Sequence, residues 1–384
     1  MTDVQKCFIS LIRNVVIGTD LTDDFELCDL VELYKLSKKQ DMAHIIAYGL
    51  KENSLIDLNS DLWKKYYNKQ YLMAQFRVMN LDNECKKVCD VLEDAGIDHI
   101  PLKGAVIRPL YPEPWMRTSC DIDILVHEED IRKAEAVLVE KLDCDVKSDG
   151  YLYGHDDQIK TTNGFVIELH FILSESKDAA LPCLNDVWDY TILNNDKSHQ
   201  YKMNNEMLYI YHIYHASKHF RYGGCGVKTI LDTRIINHKL GLTTSNCGDL
   251  IAESGLLKFA QAMEAISEKW FSGVENDDYI ELEDYIFSGG VYGGENHVSA
   301  KQTKADSKSF KYTFQRAFPS YDFMCERYCQ LRGKPLLLPY YWFKRIATAF
   351  GKKDGKRTKA EIKTAWLEKE KSKQIKAMFD ELGL

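Results

Sequence analysis

The 384-residue sequence predicts a small mixed-sheet α/β (α+β) core, residues 96–203, between a helical N-terminal region, 1–95, and a helical C-terminal region, 204–384. Three observations carry that prediction. Apolar residues recur at threes and fours before residue 95, alternate with polar ones between about 97 and 173, and return to helical spacing from about Asn204.

In the N-terminal region the helical pattern runs through Phe8, Leu11 and Ile12, then Leu30, Leu33, Tyr34 and Leu36, then Met42, Ile45, Ile46 and Leu50. A longer helix is expected from about Leu62 to Ala95, with Gly96 as the glycine that closes it. Its Trp63, Tyr66, Tyr67, Tyr71 and Phe76 read as packing residues. No repeat at solenoid periods is present.

The core begins with a short strand, Ile97 to Pro101, and a turn at Lys103-Gly104 that opens a brief helix ended by Pro109 or the Pro112/Pro114 pair. Cys120 to Val126 is a strand, and the acidic run Glu128-Glu129-Asp130 leads into a helix to about Leu142. Tyr151 to Asp156 and Gln158 to Thr162 read as a hairpin arm. In the next strand, Phe165, Ile167, Leu169 and Phe171 share one face, and Val166, Glu168, His170 and Ile172 the other.

Helices are expected over Glu206–Phe220, Val227–Leu240 and Asp249–Phe271. Gly289-Gly290 and Gly293-Gly294 mark a loop, and a helix starts near Tyr340. A basic tail from Lys352 to Lys376 carries interleaved Glu361, Glu368 and Glu370. It reads as a solvated helix, with an RNA- or phosphate-contacting tail as the alternative.

A formal net charge of −8 argues against general nucleic-acid binding, DNA included. No apolar run approaches the ~20 residues that span a bilayer, and the N-terminus lacks a basic segment followed by an apolar one. Eleven scattered cysteines suit a reducing cytoplasm. Cys85/Cys89 and Cys325/Cys329 fall on helix faces, but structural zinc sites favour tighter spacing.

The chemistry centres on Asp121-Ile122-Asp123. On a strand both carboxylates point one way, while Ile122, Ile124 and Val126 point to a core. Two neighbouring carboxylates repel, which a divalent cation relieves by taking them as oxygen ligands. A merely solvated edge strand is the plainer alternative. Glu168, on the polar face of a later strand, supplies a third carboxylate. The Lys103-Gly104 turn offers backbone N–H groups, a helix start and a point charge, which suit a triphosphate. His170 shares the face of Glu168, as a nucleotide or acceptor contact, as a partner orienting Glu168, or as a core histidine. His212, His215 and His219 fall near one helix face, a pattern that serves packing or substrate contact more often than zinc.

In that order, turn, D-x-D strand and later acid, the chain resembles the DNA polymerase β-like nucleotidyltransferase superfamily. It is most similar to the bacterial family of uncharacterised nucleotidyltransferases. The resemblance rests on Leu102-Lys103-Gly104, Tyr111, Arg117, Asp121 to Val126 and Glu168-Leu169-His170, with His215-Ala-Ser-Lys218-His219 and Asp232 further on. It implies a cytoplasmic enzyme that moves a nucleoside monophosphate from an NTP such as ATP to an acceptor hydroxyl on a small molecule, protein or RNA, releasing pyrophosphate. It also implies Mg²⁺ or Mn²⁺ held by Asp121, Asp123 and Glu168, with Glu168 helping to deprotonate the acceptor. Lys103, Gly104, Arg117, His170 and Lys218 would contact the nucleotide, with Asp232 at the pocket rim. Arg117 would neutralise phosphate charge or pair with an acid and position the strand. Lys103-Gly104 stands where many superfamily members have Gly-Ser, so a phosphate-contacting hydroxyl is missing from this turn. The alternatives are a catalytically silent binding or regulatory protein and a metal-dependent phosphoesterase.

Overall fold

Strand β2, Asp121–Val126, sits inside a five-stranded sheet ordered β1-β2-β5-β4-β3. The computed structural model describes the chain except residues 22–24, 26–27, 147–155, 175–181, 292, 294–313, 315–317, 332 and 350–368. β1 is His99–Pro101, β3 Asp145–Val146, β4 Asp156–Lys160 and β5 Val166–His170. β2 and β5 are parallel, while β1, β4 and β3 pair antiparallel to their neighbours, so the sheet is mixed.

The helices before the sheet are α1 Asp3–Ile12, α2 Leu30–Lys39, α3 Ala43–Glu52 and α4 Gln70–Asp94. Thr2 and Gln5 form a reciprocal capping box on α1, and Asp29 caps α2. The single long helix expected from Leu62 is instead divided. A wide π turn, Trp63–Tyr67, precedes α4, and it brings the Tyr67 hydroxyl to donate to the Leu30 carbonyl at 2.6 Å. α4 ends where Gly96 adopts φ +64°, a left-handed conformation that glycine enters without Cβ strain. Trp63 and Tyr67 are buried, but Phe76 is solvent-exposed, against the packing role expected for it.

Alternation decides what each sheet face does. Ile122, Ile124, Val126, Ile159, Ile167 and Leu169 are all buried against Leu81, Val88 and Leu92 of α4 and against α6, Ile131–Leu142, through Ile131, Ala134 and Leu138. Each such large aliphatic side chain contributes roughly 1.5–3 kcal/mol by leaving water. That apolar lock fixes the register, because a slip of one residue would turn every isoleucine outward.

After the short helices α5 Gly104–Ile107 and α7 Pro182–Asn185, a second hairpin forms from β6 Thr191–Leu193 and β7 Tyr201–Met203. These three-residue strands are too short for alternation to announce them. Helices α8 Asn205–Arg221 and α9 Val227–Leu240 follow. The helix expected over Asp249–Phe271 breaks at Gly255 into α10 Gly248–Glu253 and α11 Leu257–Ser272, and α12 spans Ile280–Gly289. Helices Tyr321–Arg327 and Leu338–Ala349 come next.

The final helix, Lys369–Leu382, corrects the expectation of a solvated tail. Ile375, Met378, Phe379 and Leu382 are buried in the main core, and Phe379 packs 5.8 Å from Phe220 and 5.9 Å from Tyr285. Lys373–Glu370 and Lys376–Asp380 pairs line its outer side. The basic residues Lys352 to Lys363 lie outside the described residues, as do residues 151–155 of the hairpin arm and most of the 288–306 segment. In the described part of that arm, β4 joins the main sheet beside β5 and pairs with β3.

Candidate active site

Parallel pairing of β2 with β5 places Asp123 opposite Glu168 and Leu125 opposite His170. All of them, with Asp121, lie on the face opposite the isoleucine lock. Asp123 Oδ1 is 3.0 Å from His170 Nε2, and His170 Nε2 is 3.7 Å from Glu168 Oε2. One ligating atom from each of Asp123, Glu168 and His170 falls within 4.8 Å of the others, and among the described residues no other His, Cys, Asp or Glu group is so disposed. Asp121 lies one pleat away and lines the same cavity.

Antiparallel pairing of β1 with β2 sets Lys103. Pro101 pairs with Ile124, and the Leu102 N–H donates to the Asp123 carbonyl at 2.9 Å. The chain then turns at Lys103 with φ +44° and ψ −107°, a conformation that costs a residue with a Cβ about 1–3 kcal/mol. The turn sends Lys103 Nζ to 2.5 Å from Asp123 Oδ1 and 3.9 Å from Glu168 Oε2.

The two carboxyls are consequently driven apart. Burial alone would raise Asp123, but the His170 hydrogen bond and the Lys103 charge hold it well below the usual carboxylate range. Glu168 goes the other way, to about 7, because of burial and then the Asp123 charge. An ionised Asp123 can only accept, so His170 Nε2 carries the proton of that hydrogen bond and holds the carboxylate in place. Gln158 of β4 donates to Glu168 Oε1 at 3.4 Å from the other side.

This donor set fits a divalent cation. Carboxylate oxygens from adjacent strands converge, and the ammonium of Lys103 already stands beside them where positive charge is favoured.

The acids floor a cavity of about 680 Å³. It is also lined by Tyr211, His215 and Lys218 of α8, together with Lys228 and Asp232 of α9. Arg117 lines the cavity and is paired with an acid. It pairs with Asp232, Nε to Oδ1 at 2.9 Å and Nη2 to Oδ2 at 3.0 Å, and Tyr111 donates to the same carboxylate at 2.7 Å. Asp232 is thus buried in the wall, not at the rim.

Gly104 sits in close approach to three side chains. A Cβ there would lie 2.8 Å from Ser119 Oγ and about as close to Arg108 and Arg117. Ser119 Oγ itself lines the cavity and accepts from Arg108 Nη2 at 2.7 Å. A hydroxyl thus stands beside the 103–104 turn, on the segment leading into β2. Arg108 also pairs with Asp82 of α4 and donates to the Arg117 carbonyl, tying that segment to the helix under the sheet.

The three histidines of α8 separate. His212 is buried and donates from Nε2 to Thr233 Oγ1 at 2.8 Å, because that hydroxyl already donates to the Thr229 carbonyl. His215 and His219 meet each other, Nε2 to Nε2 at 3.1 Å, which requires at least one neutral ring. Burial and the nearby Lys103 charge keep His215 well below its ordinary value. Asp156, Gln158, Tyr211, Ser119, Asp41 and Lys228 also line the cavity and were not singled out from the sequence. Asp156 and Gln158 had a signal, since β4 alternates about Asp157 and Ile159. The others come from loops and helices whose apposition no spacing encodes.

The family model described as uncharacterised nucleotidyltransferase matches residues 28–272, well over half of the chain. No curated protein and no solved structure matches the chain. The matched span takes in the acid floor, the Lys103 turn and the α8–α9 wall, and the chain belongs to this nucleotidyltransferase family.

Proposed function

We propose that the protein transfers a nucleoside monophosphate from an NTP such as ATP to an acceptor hydroxyl and releases pyrophosphate, with Mg²⁺ or Mn²⁺ at the acid floor. The observation that carries this reading is the convergence of Asp123, Glu168 and His170 within 4.8 Å at the base of a cavity large enough for a nucleotide and an acceptor group. The fold order and the family support placing the core, residues 96–203 in the division 1–95, 96–203 and 204–384 that we propose, in the DNA polymerase β-like superfamily.

A divalent cation bound by Asp121, Asp123 and Glu168 would offset triphosphate charge. The remaining work belongs to the chain. His170 keeps Asp123 ionised and oriented. Glu168, reaching the cavity beside it, accepts the proton of the acceptor hydroxyl. The acceptor oxygen bonds to the α-phosphorus as the bond to pyrophosphate breaks. Lys103 and Lys218, which both line the cavity, neutralise phosphate oxygens. Arg117 works through Asp232 and Tyr111 to position the segment before β2, and Gly104 gives the room that positioning needs. The acceptor, whether small molecule, protein or RNA, enters from the open side of the cavity.

No described helix is long and apolar enough to cross a membrane, and the described cysteines are free thiols. Both fit the cytoplasm of a bacterial cell as the place of action.

Calorimetric titration of ATP tests the reading. Wild type should bind only with Mg²⁺, and Asp121→Ala/Asp123→Ala should not bind. Equal binding by both proteins, with and without Mg²⁺, contradicts it. A catalytically silent protein is a second reading, favoured by the Lys103 ammonium lying on Asp123. Pyrophosphate release on turnover excludes it, and release of orthophosphate instead would identify a phosphoesterase.

A further inference from the structure

Lys103 raises a question the proposed chemistry leaves open. Its ammonium is 2.5 Å from Asp123 Oδ1 and 3.9 Å from Glu168 Oε2, among the oxygens that would ligate a cation. The His170 Nε2–H donates to the same Oδ1. That oxygen is thus covered by two proton donors, and a metal ion and an ammonium cannot both occupy the space against it. Lys103 also holds its backbone at φ +44°, which a lysine adopts only when its surroundings impose it. Behind it Gly104 is hemmed in by Ser119, Arg108 and Arg117, so the turn has little freedom and the four-carbon side chain is the movable part.

We propose that Lys103 is a resident counter-cation of the metal site, which a divalent ion must displace and which then passes to the phosphate oxygens of the nucleotide. The inference rests on the metal-site reading above and adds the order of events. Metal alone must compete with the Lys103 ammonium for Asp123 Oδ1. Metal arriving with a triphosphate offers the displaced ammonium a new anion on the same side of the cavity. Metal and nucleotide therefore bind cooperatively, each weak without the other. No covalent step is involved.

The test is Mn²⁺ binding without nucleotide, followed by the electron paramagnetic resonance signal of free Mn²⁺. The proteins are wild type, Lys103→Met, Lys103→Gly, Lys103→Arg and Lys103→Met/Asp123→Ala. Lys103→Gly removes the charge and relieves the φ +44° strain, so a folding defect in the methionine variant would not remove the test. Removing the resident charge should tighten Mn²⁺ by about tenfold or more in Lys103→Met and Lys103→Gly. Lys103→Arg should stay as weak as wild type, and Asp123→Ala should abolish the gain. Equal or weaker Mn²⁺ binding in the methionine and glycine variants overturns the role of Lys103 and leaves the metal site standing. Mn²⁺ binding to none of the proteins, with or without ATP, overturns the metal site itself, and Lys103 with it.

Discussion

Two charge clusters line the cavity, and they are built on opposite principles. In one, Arg117 meets Asp232 in a two-point fork and Tyr111 completes the carboxylate's hydrogen bonds. In the other, Asp123 and Glu168 lie side by side against the single ammonium of Lys103, with Asp121 a pleat away. The first is balanced, which is what a structural ion pair requires once it is out of water. The second carries more acid than base and opens to the cavity. Charge left unbalanced in this way stores repulsion, and that is tolerable where a ligand supplies the missing cation.

The contrast predicts opposite responses to removing one carboxylate. Asp232→Ala leaves Arg117 buried without its partner and should cost about 3–5 kcal/mol, read as a drop in the denaturant midpoint. Asp123→Asn should reduce nucleotidyl transfer by about 10³-fold, or about 4 kcal/mol of barrier, measured as pyrophosphate release. If Asp232→Ala unfolds at the wild-type midpoint, the balanced cluster is not structural.

Buried neutral histidines add a pH dependence of their own. Burial lowers His44 to about 4 even though its Nε2 donates to the Met116 carbonyl at 3.0 Å, and burial lowers His212 to about 4. The unfolded chain takes up these protons near pH 6.5, the folded chain only near 4. Stability is therefore full above about pH 6.5 and falls as pH drops toward 4, by about 3 kcal/mol for each histidine. His44→Gln should flatten that fall in thermal melts between pH 7 and pH 4, and an unchanged slope would refute it.

The smallest effect is the most diagnostic. Glu168→Gln relieves the repulsion with Asp123 and should raise stability by about 1 kcal/mol in metal-free buffer while it stops transfer. A loss of stability would place Glu168 with the structural acids.

Strict alternation made the acid floor legible in the sequence. Ile122, Ile124 and Ile167, Leu169 demanded one core face, so Asp121, Asp123, Glu168 and His170 had to share the other. The pairing of β2 directly with β5 did not follow from that pattern, because alternation fixes faces and not neighbours. Contacts between distant segments were not legible. Nothing near Arg117 says that its carboxylate partner lies 115 positions away, and Tyr111 gave no sign of bonding to the same residue. The Lys103 contact was hidden for another reason. Its charge was visible, but the backbone turn that aims it at Asp123 has a φ that sequence patterns assign to glycine. The buried side of the last helix was masked by its lysines, since one face can be charged while Ile375 and Phe379 anchor the other.

Diffraction from crystals soaked with Mn²⁺ and a non-hydrolysable ATP analogue tests the central claim most directly, through the anomalous signal of the metal. A Mn²⁺ peak between Asp121, Asp123 and Glu168, with the triphosphate against it and Lys103 moved onto phosphate oxygens, is the predicted result. Nucleotide bound in the cavity with no Mn²⁺ peak at those carboxylates would contradict it.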